Sequence, residues 1–256
     1  MGERTELEAD IFSWINKVRA DPECVVLALE GRKMRFVEGN NKMQISGTTF
    51  VNTVEGVAAI DDAIEYLENM AEQIENSEKE FDLLTWSDEA AANSKLHVLK
   101  NCTAGTTDLL TGSEIEETLR ASLEAEGLGA YAESSEYGSS AAMDIVLNLI
   151  VDDGNSARSN RLNIFGNYEY FACASNEHPS YGQMTTLLFI LSQDSLQAEL
   201  KAAQAAAEAE VEDPPGWATK STASELNEAG VITITFTYLM KDGSEEVKEF
   251  KMISSQ

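Results

Sequence analysis

Glu133-Ser134-Ser135-Glu136-Tyr137-Gly138 opens a stretch that runs to Phe189 and decides how the chain is read. An apolar helical run follows and ends in Leu149-Ile150-Val151-Asp152-Asp153-Gly154. Next come Arg158-Ser159-Asn160-Arg161-Leu162-Asn163-Ile164-Phe165 and then His178-Pro179-Ser180-Tyr181-Gly182-Gln183-Met184. The apolar run predicts a core helix over 139–151. Two strands are expected near 169–175 and 184–191, the second a β-branched and apolar run.

Upstream, Leu7, Ile11, Trp14, Ile15 and Val18 recur at helical spacing and predict a helix over 5–20. Asp21-Pro22 ends it, because proline disfavours helix in the residue before it. Residues 34–56, with Gly39, Asn40, Asn41 and Gly47, read as irregular. A helix is expected over 57–75. In Leu83-Leu84-Thr85-Trp86-Ser87-Asp88-Glu89, Ser87 can cap a helix that runs through Ala90, Ala91, Leu96 and Leu99. Residues 101–113 read as a turn-rich loop and 114–126 as a helix. Beyond Gln193 the composition turns to Ala, Glu and Gln, strong helix formers, until Glu212-Asp213-Pro214-Pro215-Gly216 breaks the run. Val231 to Tyr238 alternates with period two, Asp242-Gly243 makes a turn, and Val247, Phe250 and Met252 follow, which predicts a β-hairpin. The expected division is a main domain at 1–193, a helix and linker at 194–215, and a hairpin appendage at 216–256.

The chain carries 45 acidic against 18 basic residues, a formal charge of −27. That field repels nucleic acid and anionic membrane surfaces, so neither is expected as a partner. A solvated acidic surface is the plain reading, and a basic partner the sharper one. Three widely spaced cysteines, Cys24, Cys102 and Cys173, make no disulfide framework. The charged N-terminus lacks an apolar signal core, and no run is long enough to span a bilayer. The expectation is a cytoplasmic protein with reduced thiols.

The landmarks, in this order, resemble the CAP superfamily, also called the SCP-like domain, in its protist or bacterial branch. Asn16-Lys17-Val18-Arg19-Ala20-Asp21-Pro22 resembles its first-helix ending, and Phe36, Gly39-Asn40 and Thr53-Val54-Glu55-Gly56 its irregular segment. The resemblance implies an α+β fold, a three-layer α-β-α sandwich, here with a C-terminal helix and hairpin. In many members two histidines and two acidic residues line a cleft that can bind a divalent cation such as zinc, a competent ligand set with positions left open. Glu133 matches one acid, with Ala132 and Ser134 in place of its usual neighbours. Asp152 falls near the other. Asn160 and Thr107 stand where the histidines are expected. Asparagine is a poor zinc ligand and no base.

Of the two histidines present, His97 lies on the tryptophan-led helix, outside the implied cleft, and His178 in a loop. Neither has a carboxylate or cysteine at metal-ligand spacing in the sequence, and both read as packed side chains. Gly127-Leu128-Gly129 lacks the third glycine of a dinucleotide loop, and no phosphate-binding Gly-Lys motif occurs. Arg158 and Arg161 read as loop anchors pairing with nearby carboxylates such as Asp152 or Asp153, the alternative being an anion or partner site.

These readings predict no catalytic residue, metal or cofactor. They favour a non-enzymatic structural or binding subunit with protein partners in a larger assembly, a cytoskeletal or axonemal complex being one candidate. The alternatives are a cation-dependent hydrolase using Glu133 and Asp152, or a lipid or sterol carrier, which needs an apolar groove.

Overall fold

The computed structural model describes residues 4–37, 41–226 and 231–253. Gly39 and Asn40, on which part of the family resemblance rests, lie outside these residues, as do Met1 to Glu3.

Helix α1 (Glu6–Ala20) starts in a capping box: Thr5 accepts from the Glu8 N–H, and the Glu8 carboxylate accepts from the Thr5 N–H at 2.8 Å. After a 3₁₀ turn at Pro22–Val25 come α2 (Val26–Lys33), a small hairpin of β1 (Lys42–Ser46) and β2 (Thr49–Asn52), and α3 (Val57–Glu75). The hairpin corrects the irregular reading of 34–56. Its strands are mostly exposed, so no apolar alternation marks them. Next are β3 (Thr85–Trp86), α4 (Asp88–Ala104), α5 (Glu114–Ala125) and β4 (Leu128–Tyr137). Helix α4 runs into the segment read as loop and stops at the left-handed Gly105. Then follow α6 (Ala142–Val151), α7 (Ser159–Ile164), β5 (Tyr170–Asn176), β6 (Met184–Ser192) and α8 (Gln193–Glu210).

The central sheet has the order β3-β5-β6-β4, with β3 parallel to β5 and the rest antiparallel. Alternate residues of its inner strands enter two different cores, as the two-residue strand period requires. Phe171, Cys173, Leu187 and Phe189 pack with Ile11 and Ile15 of α1, Leu67 of α3 and Leu149 of α6. Ala172, Leu188 and Ile190 pack with Ala90 and Ala91 of α4 and Leu119 and Leu123 of α5. Helices thus cover both faces of the sheet, and all of β6 except its last residue is buried.

Two residues of the family-like first-helix ending tie α1 into this architecture. Asn16 exchanges hydrogen bonds with the Leu84 backbone, accepting at 2.7 Å and donating at 3.2 Å. Arg19 is buried and donates to the carbonyls of Ile164, Gly166, Tyr168 and Asp82.

Strand β4 has no counterpart in the sequence reading. It contains a bulge: Leu128 opposes Ser192 while Ala130 opposes Leu191, leaving Gly129 extra. A side chain at 129 would meet Gln193 and Leu196 at 2.9 Å, where α8 begins.

At the C-terminus the expected hairpin is a three-stranded antiparallel sheet of β7 (Trp217–Leu226), β8 (Val231–Met240) and β9 (Glu245–Ile253). The added strand is rich in Ser, Thr and Ala and mostly exposed, so it gives no apolar signal. Ile232, Ile234, Phe236 and Tyr238 pack under Ala203 and Ala207 of α8, and Leu226 also touches the main core.

Candidate functional site

The antiparallel register decides which face each β4 side chain takes. Glu133 lies opposite Leu188 and therefore faces the α4/α5 layer. Ala132 lies opposite Phe189 and faces the α1/α3/α6 layer. Asp152, at the end of α6, belongs to that second layer. The two family-like acids are thus on opposite sides of the sheet, and the structure does not bring them together.

Glu133 accepts from the Leu110 N–H at 3.0 Å, so it holds the loop that follows α4. Beside it is His97, whose Nε2 is 3.6 Å from Glu133 Oε1. The sequence reading gives this histidine no nearby carboxylate; the fold supplies one, from β4 to α4 over the shared sheet face. The separation exceeds hydrogen-bonding range. Nε2 instead faces the Asn101 amide nitrogen at 3.2 Å. That amide is oriented by two other bonds: it donates to the Asp108 carbonyl at 2.8 Å, and its oxygen accepts from the Thr106 hydroxyl at 2.7 Å. Nε2 is therefore an acceptor and the ring is neutral. Burial, aided by Lys100, lowers the His97 pKa and reinforces that state, while Asp108 opposes it.

His178 is also buried, between Tyr137 and Tyr181. Its Nε2 donates to the Thr106 carbonyl at 3.0 Å, and Nδ1 accepts from the Ser180 and Tyr181 N–H groups at 3.2 and 3.3 Å. Both ring nitrogens are spent on loop structure. Thr107, at one expected histidine position, is exposed on the same loop.

Asp152 is 6 % exposed and adopts a left-handed conformation, φ 50°. One carboxylate oxygen accepts from the Asn160 side chain at 2.7 Å; the other accepts from the Asn160 N–H at 2.9 Å and the Asn155 side chain at 3.0 Å. Asn160 is the second residue of α7, so Asp152 satisfies one of that helix's free N–H groups. Asn160, at the other expected histidine position, serves to hold the acid.

Arg158 and Arg161 do anchor this loop, but through other carboxylates than expected. Arg158 forks onto both oxygens of Glu55 at 2.6 Å and reaches Asp62 at 3.0 Å. Towards Asp152 it donates only to the backbone carbonyl, at 2.8 Å. Arg161 donates to Asp62 at 3.0 Å and to the Ile150 carbonyl at 2.6 Å. Asp153 instead accepts from the Val54 and Glu55 N–H groups. No spacing in the sequence signals Glu55 or Asp62, since Glu55 is 103 residues from Arg158.

The hydrogen bonds from Arg158, with one from the Gly154 N–H, hold the Glu55 carboxyl at about 2, below its ordinary 4.5. The unfolded chain binds the proton more readily, so the pair's contribution is fully present above about pH 4.5 and is lost as pH falls towards 2. The groups are half-buried and still reached by solvent, so the effect is modest and weakened by salt. In urea unfolding, wild type is expected to exceed Glu55→Gln at pH 6, with the gap closing between pH 4.5 and pH 2. A gap unchanged at pH 2 would show that the ion pair is not its source.

Another polar chain crosses from α2 to β4. Arg32 bonds Asp144 and Asn148 at 2.8 Å, and Asn148 donates to the buried Glu136 at 2.8 Å. All three cysteines are free, and burial raises the pKa of each thiol, so none is an activated nucleophile. Among the described residues, no three His, Cys, Asp or Glu side chains are grouped to hold a metal ion. No helix among them is long and apolar enough to cross a membrane.

The class defined by this architecture is a mixed α/β protein of α+β type. No family model and no curated protein matches the chain. Among solved structures, an outer surface protein from Borrelia burgdorferi is similar over 51% of this chain and 93% of that chain, with 13% identity and a TM-score of 0.35. That likeness is too low to bear on fold or function.

Proposed function

We propose that the protein is a non-enzymatic binding subunit, using a CAP-like α-β-α sandwich as a scaffold for protein partners in a larger assembly. One observation carries the reading: the two acids at the family's cavity positions, and Asn160 at a third, are engaged in internal hydrogen bonds that fix loops. Asp152 holds Asn160 and α7, and Glu133 holds the loop at Leu110; outside those positions, His178 also spends both ring nitrogens on its neighbours. A hydrolase built on Glu133 and Asp152 needs them in one cleft, and the sheet separates them.

The test is the size of the native protein in a freshly made extract. The expected result is elution well above the 28.0 kDa of the chain. Elution at the monomer position across ionic strengths would overturn the proposal.

A further inference from the structure

A groove of about 380 Å³ runs along the start of α4, its apolar lining given by Trp86, Ala92 and Leu96 and its charged lining by Arg4, Asp88 and Glu89. Lys95, which also lines it, pairs with the buried Glu8 at 3.2 Å. The Trp86 indole N–H donates to Asp88 at 3.2 Å, which fixes the ring plane. Over that ring lies the guanidinium of Arg4, 4.0 Å from the ring centre and 5.1 Å from the centre of Phe12. The chain thus seats one of its own arginines on the aromatic face of a groove that two carboxylates also line.

We propose that this groove binds an arginine side chain presented by a basic segment of a protein partner, which takes the place of Arg4 on the Trp86 ring. Three features converge on that occupant. The aromatic face suits a planar, weakly hydrated guanidinium better than an ammonium. Asp88 and Glu89 add local negative charge to a chain that is already at −27 and draws in basic partners. The apolar lining, Ala92 and Leu96, suits the aliphatic stem that precedes the guanidinium. Arg4 is held by an exposed cation–π contact, which is weak, so an incoming arginine displaces it at little cost. The proposal rests on the reading of the chain as a binding subunit only in making the partner a protein.

The test is titration of the full chain with acetyl-triarginine-amide and acetyl-trilysine-amide at physiological salt. Triarginine is expected to bind at least about fivefold tighter than trilysine. Arg4→Ala is expected to tighten triarginine binding by about two- to fivefold by vacating the ring. Trp86→Leu should erase the preference for arginine, and the surface variant Glu89→Lys should weaken triarginine binding without involving the core. Equal affinity for the two peptides, or a preference for triarginine that survives Trp86→Leu, would overturn the proposal and leave only diffuse attraction to an acidic surface, whatever the response to the charge variants. Because native size is measured separately, failure here leaves the assembly reading standing.

Discussion

Asp152→Ala is expected to lower the unfolding free energy by about 3 kcal/mol, read as a shift of the urea midpoint with unchanged slope. The substitution removes three charge-assisted hydrogen bonds, from the Asn160 backbone and side chain and from Asn155, in a 6 % exposed site. It also places alanine at φ 50°, where asparagine and aspartate are tolerated better than most side chains. Asp152→Asn separates these effects. It tolerates the left-handed backbone, and its oxygen can keep the Asn160 N–H while the Asn160 side-chain amide turns to present an acceptor. Its expected cost is about 1 kcal/mol. A metal-binding or catalytic carboxylate predicts the reverse pattern, with asparagine fatal to activity and alanine nearly harmless to stability. Equal losses for both variants would remove the structural account of Asp152.

Arg19→Leu is expected to cost about 3 kcal/mol as well, for a different reason. Leucine fills much of the same space but abandons the Ile164, Gly166 and Tyr168 carbonyls, which Arg19 serves inside the protein. Burial lowers the guanidinium pKa to about 10, so it is still charged at neutral pH, and its Nε lacks a partner. Arg19→Lys keeps the charge but concentrates it on one nitrogen that cannot span carbonyls on both sides. It is expected to recover less than half of the loss. Full recovery by lysine in thermal and urea unfolding would show that charge, rather than the fork, holds α1 to the segments around it.

Residues with one strong local pattern are legible in the sequence. Helix α3 occupies the expected 57–75 span because Ala63, Ile64 and Leu67 follow a clean helical stripe. Strand β6 is signalled by its continuous apolar run, as suits a strand covered on both faces. Strand β4 escapes such a reading because it buries polar groups: Ser134 and Glu136 point inward, satisfied by Asn163 and Asn148. Its pattern therefore looks like surface. Glu133, Asp152, Arg158 and Arg161 stand out in the sequence as polar residues, but most of their partners come from distant segments. His97 meets Glu133 only because α4 packs on β5 and β6, on the sheet face that Glu133 of β4 shares, and Arg158 meets Glu55 only because the loop after β2 returns to α6. Arg19 does leave a local trace. It sits four residues after Ile15 on the buried stripe of α1, and a charge at such a position signals an internal partner.

The extra residue at Gly129 fixes the phase between α5 and the strand that follows it. With it, Leu128 fills the α5 layer while Glu133, later in the same strand, faces that layer too. Removing one residue there forces a choice. Either Leu128 leaves its layer, or the rest of β4 turns over and points Glu133 away from His97. The number of residues between Leu123 and Ala130 is thus constrained more tightly than most of their identities, and a single-codon deletion there would do more harm than most substitutions nearby.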